Sequence, residues 1–295
     1  MSSPSRAALR ENAPAKVNLT LRVLGRRSNG YHNIASLVAF AQCHDRLSFS
    51  PGGPLALKVR GPLAAKTGRR AGNLVLKAAR LLSAEVGGLT LGQFTLVKNL
   101  PVAAGLGGGS ADAAAALRLL ARANRLKLDD PRIRKVALEI GADVPVCLDP
   151  RPCIMRGIGE ILSGPIRIPK LPVVLVNPGV AVATKDVFAR YDRQIARRGS
   201  KPVIRGAAVP RKRKAFVAML AAEQNDLEAS AIALVPPIAK VLAALRKRPG
   251  CRLARMSGSG ATCFGLFSSS RAATAAVRKI KAAHPRWWVR ASVLR

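Results

Sequence analysis

The chain reads as a two-domain α/β (α+β) protein, its C-terminal half a small α/β sandwich of alternating strands and helices. Three observations carry that reading. At 295 residues, 49% of them hydrophobic, it can bury a large core and is long enough for two domains. A β-type run at 93–97 feeds through a glycine-rich loop at 105–110 into an Ala/Leu-rich stretch at 111–123 that reads as helix. Finally, Pro150, Pro152, Pro165, Pro169 and Pro172 cluster where the texture of the chain changes, which sets a boundary near 155 and divides 1–155 from 156–295.

Taken in order, residues 1–12 are polar and expected to fray. Residues 15–23 alternate with period two, Val17, Leu19, Leu21 and Val23 on one face and Lys16, Asn18, Thr20 and Arg22 on the other, which predicts a half-buried strand. Residues 25–31 form a turn around Asn29-Gly30, and an extended or mixed segment follows over 32–40. Short strands are expected at 47–49 and 55–59, separated by Pro51-Gly52-Gly53-Pro54. Residues 73–86 carry apolar side chains at helical spacing behind Asn73 as N-cap. After the glycine loop and its helix, 131–140 is a helix closed by Gly141, and Pro145 argues against helix in the segment that follows. The second half gives a strand at 173–176 and a helix from Thr184, its cap, to Tyr191. Residues 192–214 are basic and weakly patterned and read as a surface loop or partly disordered insert. Helices at 216–222 and 232–247 precede strands at 252–256 and 262–267, joined by Ser257-Gly258-Ser259-Gly260-Ala261. A helix at 271–283 and a strand at 287–293 complete the chain.

Composition removes several function classes. No apolar run reaches membrane-spanning length, and the first residues lack a secretory apolar region, so a cytoplasmic protein without membrane contact is expected. Five scattered cysteines without a CxxC pair and three histidines argue against zinc and for reduced, mostly buried thiols. Fifty Lys and Arg against 15 Asp and Glu give a net charge of +35, as in some nucleic-acid binders. Yet aromatics are only 4% and the basic residues are spread along the whole chain, so a solvated cationic surface is favoured and no specific nucleic-acid partner is expected. With so few carboxylates, candidates for a general base are few.

The loop at 105–110 is an anion-site arrangement. Glycines admit close backbone approach, and the unpaired N–H groups and dipole of the following helix face the anion. Ser110 can cap that helix or touch a phosphate oxygen. No Lys follows the glycines, so this is not the GxxxxGK[ST] loop. From the loop alone, phosphate binding and a turn that only permits close helix packing stay equally open. Asp112, in the first turn, reads as a dipole-stabilising residue first and a metal contact second.

The segments PAKVNLTLRV, GRRSNGYHNI, LPVAAGLGGGSADAAAAL, GADVPV and MSGSGATCFGLF resemble the signature stretches of the GHMP kinases, over nearly the whole chain and most weakly at 192–214. The resemblance implies a ribosomal-S5-domain-2-like N-terminal domain that binds ATP, a ferredoxin-like C-terminal domain, and an active site in the cleft between them. AKxNLxLxVxGxRxxGYH with GADVP points to the branch that phosphorylates the 2-hydroxyl of 4-diphosphocytidyl-2-C-methyl-D-erythritol for isoprenoid precursors. The resemblance implies Asp143 as catalytic base and Lys16 as catalytic lysine. It places Pro101, Ala103, Ala104, Gly105, Leu106, Gly107, Gly108, Gly109, Ser110 and Ala111 around the phosphates of ATP, with Asn73 and Lys98 near the nucleotide. Tyr31 by stacking and His32 by hydrogen bonding would hold the cytosine, and Asn18, Asp143, Thr184 and Phe188 would complete the substrate site. Mg²⁺ is expected with ATP, without a protein metal cage, and the assembly is expected to be a monomer or weak homodimer. Asn29 and Asn33 stand where many relatives carry acidic residues. The rival readings are a homoserine- or mevalonate-type kinase of the same family, and a basic nucleic-acid-binding protein on an idle kinase fold.

Overall fold

In the computed structural model, residues 8–68, 72–195 and 209–295 are described. Along the chain come β1 (Leu9–Asn18), β2 (Arg22–Arg26), β3 (His32–Pro51), β4 (Ala56–Arg60), α1 (Leu74–Val86), β5 (Gly92–Val97), α2 (Gly108–Ala123), α3 (Pro131–Ile140) and α4 (Val144–Leu148). They are followed by β6 (Cys153–Gly157), β7 (Ile161–Leu162), β8 (Leu171–Asn177), α5 (Thr184–Ile195), α6 (Arg213–Ala222), α7 (Glu228–Leu234), α8 (Pro237–Arg246), β9 (Cys251–Met256), β10 (Cys263–Phe267), α9 (Ser270–Ala283) and β11 (Trp288–Leu294). These elements form two compact units. The first takes residues up to Ala15, His44–Val102 and Gly107–Pro150; the second takes Lys16–Cys43, Ala103–Leu106 and Arg151–Arg295.

In the first unit, β5 lies antiparallel to the second half of β3, from Arg46 opposite Val97 to Pro51 opposite Gly92, and parallel to β4. Phe49 and Phe94 face each other across that pairing with ring centroids 4.5 Å apart. α2 is buried around most of its circumference, from Ala111 through Ala116 and on to Leu120. Its alanines let α1, α3 and α4 pack against it. Asn73 caps α1 by accepting the Val75 N–H at 3.0 Å, and Asp130 does the same for α3 from Arg132 at 2.9 Å.

In the second unit, β8 is buried along its whole length between antiparallel neighbours, with the order β11–β8–β10–β9. Leu294 of β11 pairs with Ala41, and the first half of β3 pairs with β2 and β6. Val174, Val176, Leu242, Leu245, Ala273 and Ile280 form part of the core there. The fold has strands on helices in both units, the α/β architecture expected.

Several local expectations change. Leu9–Glu11 are not frayed: they open β1, and Glu11 pairs with Arg118 at 3.0 Å and Arg122 at 3.1 Å. The strand expected over 15–23 is two strands broken at 19–21, and it is not half-buried, because Lys16, Asn18 and Thr20 are as enclosed as their apolar neighbours. Residues 47–49 are not a separate strand but part of the 20-residue β3. Pro145 does not exclude helix; it stands in the first turn of α4, where its missing N–H has no partner to lose. The helix expected over 232–247 is two, because Pro236 and Pro237 interrupt it and Pro237 starts α8. Of the basic segment 192–214, residues 192–195 continue α5 and Arg213 opens α6, while 196–208 lie outside the described residues.

Candidate active site

The glycine loop is held by backbone contacts. α2 begins at Gly108, earlier than the sequence suggests, behind Gly107 at φ 60°. Ser110 is therefore the third residue of the helix and not its cap. No side chain caps α2, so its first N–H groups are left to a ligand or to solvent. Within the second unit, the turn at 103–106 is bonded to the two other segments singled out from the sequence. Lys16 N–H donates to Leu106 O at 2.9 Å, Thr262 N–H to Ala104 O at 3.1 Å, and Ser257 Oγ–H to Gly105 O at 2.8 Å. Ser257 Oγ also accepts the Asn18 N–H at 3.0 Å. The strand carrying Lys16, the glycine turn and the second glycine turn at 257–262 thus form one hydrogen-bonded knot. Only glycine fits at position 105: φ is +73°, and a Cβ there would collide with the carbonyl oxygen of Ser257.

In the first unit, Lys98 is not a solvated lysine. It is 2% exposed, and its ammonium donates to Asp45 Oδ2 and Asp112 Oδ2, each at 2.6 Å. Asp45 Oδ1 accepts in addition from the Asn99 and Leu100 N–H groups. Burial alone would lower the Lys98 pKa, but the two carboxylates outweigh it and raise it. Asp112 is pushed up to about 8, first by burial and further by Asp45, against the opposing pull of Lys98. Its Oδ1 is buried without a hydrogen-bond partner. That setting favours the neutral form of the carboxyl. The sequence reading of Asp112 as a dipole-stabilising residue missed this cluster, and it missed Asp45 altogether. A Cβ on Gly108 would lie 3.4 Å from Lys98 Nζ, which places the ammonium directly beneath the first residue of α2.

Lys16 is 3% exposed, and Asp143 is the half-buried residue that precedes α4. Pro101 and Ala103 flank the turn, and Ala103 takes φ 50° without being glycine. Gly109 packs against Leu74, and Ala111 N–H closes the first turn of α2 onto Gly107 O at 2.8 Å. In the second unit, Asn18 Nδ2–H donates to Ser36 Oγ at 2.8 Å, and Ser36 in turn donates to Thr20 O. The turn before β3 closes as expected around Asn29, whose Oδ1 accepts the Tyr31 N–H, and Asn33 accepts from Arg27. Tyr31 is 60% exposed, an aromatic left to solvent by the fold. His32 stacks on Phe188 at 4.6 Å with 21° between the rings, and its Nε2 lies 2.6 Å from Asp192 Oδ1. Thr184 is not a cap. Ala183 O accepts the first helical N–H groups of α5, and the Thr184 hydroxyl bonds Ser259 Oγ at 2.9 Å. Asp192 and Ser259 were not among the expected site residues.

Within the first unit, Gly107 leads into a helix whose first N–H groups no side chain caps, an arrangement that suits an anion. Sequence families agree with that geometry. The model described as GHMP kinases N terminal domain matches residues 73–151, and the model described as GHMP kinases C terminal matches 211–286. A protein of Rhodopseudomonas palustris (strain BisB18) named 4-diphosphocytidyl-2-C-methyl-D-erythritol kinase is 56% identical over 97% of this chain and 95% of its own. The chain belongs to the GHMP kinase family. A protein of the same name from Bradyrhizobium diazoefficiens is 55% identical over 97% of this chain and 98% of its own. The crystal structure of a 4-(cytidine 5'-diphospho)-2C-methyl-D-erythritol kinase superposes with a TM-score of 0.77 at 34% identity, covering 97% of this chain and 99% of that one. Homoserine kinase from Cytophaga hutchinsonii shares the fold, with a TM-score of 0.68 at 17% identity. The kinase therefore has the GHMP two-domain fold and acts as an ATP-dependent small-molecule phosphotransferase. Among the described residues, no helix is long and apolar enough to cross a membrane.

Proposed function

We propose that this kinase transfers the γ-phosphoryl group of ATP to the 2-hydroxyl of 4-diphosphocytidyl-2-C-methyl-D-erythritol, a step in non-mevalonate isoprenoid precursor synthesis. The observation that carries the substrate is the whole-length likeness to proteins of that name at 55–56% identity. Tyr31 and the His32–Phe188 stack supply what a pyrimidine ring would need, a face and a polar edge. The homoserine- and mevalonate-type readings have no such pair to account for.

The reaction forms a bond between the substrate oxygen and the γ-phosphorus and breaks the bond to the β–γ bridging oxygen. Asp143 takes the hydroxyl proton as it leaves, and Lys16 offsets charge on the transferring group. The remaining contribution is positioning. The turn at 101–107 and the first N–H groups of α2, from Gly108 to Ala111, cradle the phosphates, with Asn73 and Lys98 alongside. Asn18 and Thr184 complete the substrate side.

Mg²⁺ fits this chemistry. The buried, unpartnered Asp112 Oδ1, once the ion displaces its proton, and the Ser110 hydroxyl lie in the first turn of α2 and are the groups that would hold it. Such an ion is held largely by phosphate oxygens and water. The ion would offset charge on the β- and γ-oxygens. The kinase works in the cytoplasm as a monomer or weak homodimer, without a specific nucleic-acid partner. A coupled ADP-release assay tests the reading: turnover is expected with the cytidyl substrate and not with homoserine or mevalonate. Turnover of either control at a higher kcat/KM would overturn the substrate assignment.

A further inference from the structure

Resting on the substrate reading above, we infer that Asp192 is a positioning residue that fixes the tautomer of His32, so that the pyrimidine subsite reads an amino group and selects cytosine over uracil. Phe188 and Asp192 are four residues apart on α5 and so share a face. Phe188 meets the flat side of the His32 imidazole at 4.6 Å, and Asp192 Oδ1 meets its Nε2 at 2.6 Å. The ring is clamped on one face and at one corner, and its side chain is 7% exposed.

The chemistry of the partner decides the proton. An ionised carboxylate can only accept, so Nε2 carries hydrogen. Arg26 Nη1 lies 3.7 Å from Asp192 Oδ2. That guanidinium offsets part of the carboxylate's charge. In the neutral ring Nδ1 is then a lone-pair acceptor. The ring has no other hydrogen-bond partner among the described residues. His32, Asp192, Arg26 and Tyr191 are among the residues lining a cavity of about 1150 Å³ in the second unit. A lone-pair acceptor on this ring matches the exocyclic amino group of cytosine. Uracil carries a carbonyl oxygen at the same place, and two lone pairs would meet. Without Asp192 the proton is free to move to Nδ1, and the preference would weaken or reverse.

Two measurements test this. The chain has three histidines, so the ¹⁵N signals of His32 can be assigned by comparison with His32→Gln. In the substrate-free protein at pH 7.5, the neutral Nε2–H tautomer is expected, with mixed tautomers in Asp192→Asn. A wild-type ring found as the Nδ1–H tautomer or as imidazolium overturns the inference, whatever the substrate proves to be. The second measurement is calorimetric binding of CDP and UDP, alongside KM and kcat for the cytidyl substrate and its uridyl analogue. Asp192→Asn should reduce the cytosine preference by about 10- to 100-fold, the range set by one mismatched polar contact. The change should fall in KM and leave kcat within about 2-fold, as for a group remote from the transferring phosphoryl. Asp192→Glu, which keeps the acceptor, should recover part of the preference. An unchanged CDP-to-UDP ratio in a folded Asp192→Asn protein overturns the inference. If wild type binds CDP selectively but phosphorylates neither compound, the substrate reading fails while the tautomer assignment stands.

Discussion

Replacing Asp112 with Asn should flatten the pH dependence of stability. In the folded, ligand-free protein the Asp112 carboxyl is pushed from 3.8 to about 8, chiefly by burial. In the unfolded chain it ionises near its ordinary value. The folded state therefore keeps a proton that the unfolded state releases across that interval. Stability from this group is full below about pH 4, falls as pH rises, and levels off above about pH 8. Each pH unit within the window is worth about 1.4 kcal/mol, so the whole interval amounts to on the order of 5 kcal/mol. The substituted amide cannot ionise but can still accept from Lys98, as the protonated acid does. The assay is urea unfolding of both proteins between pH 5 and 9. The wild type should lose about 3–4 kcal/mol relative to Asp112→Asn between pH 5 and 8. Histidines and surface carboxylates are common to both proteins and cancel in the difference. Parallel curves across that range would show that Asp112 is ionised in the folded state, and the account of its unpartnered oxygen would fall with them.

Other expectations follow from the same coordinates. Lys98→Met removes the cation that pairs with the buried Asp45 carboxylate and should cost about 3–5 kcal/mol in urea unfolding at pH 8; a loss below about 1 kcal/mol would contradict the buried Lys98–Asp45 pair. Gly105→Ala runs into the Ser257 carbonyl oxygen in a left-handed conformation and should weaken ATP binding along with thermal stability, read by calorimetry and melting. Asp143→Asn should lower kcat by about 10²- to 10⁴-fold with little change in KM, and a variant with full turnover would remove Asp143 as the base. Tyr31→Ala should weaken the cytidyl substrate by about 1–3 kcal/mol while leaving the KM for ATP unchanged.

What the sequence made legible was local. Asn73 before an amphipathic run, Gly141 after one, and Asn29-Gly30 between strands act on neighbouring residues, and each stands where the pattern placed it. The glycine loop was legible for the same reason. What stayed hidden depends on partners far along the chain. Asp45 and Lys98 are 53 residues apart, and nothing in either segment announces that they share a proton-rich pocket with Asp112. Alternation at 15–23 suggested one wet face, but Lys16, Asn18 and Thr20 are covered by segments that local patterning does not see. Asp192 was lost in a basic stretch read as loop, although Phe188 four residues earlier marked the same helical face. The breaks at Pro145 and Pro236-Pro237 were misjudged in opposite directions, because proline is harmless in a first turn and disruptive beyond it.

The interleaving of the two units has a consequence for how the polypeptide is made. Lys16–Cys43 leave the ribosome early, yet their companions arrive last: Asn18 waits for Ser257, and Ala41 for Leu294. The second unit is therefore incomplete until β11 has emerged, and until then β2 and the first half of β3 have each other but lack β6 and β11. Such long-range closure slows folding. A plasmid encoding only residues 1–155 would strand β2 and half of β3, so a chain cut there should be recovered as aggregate, not as a working half.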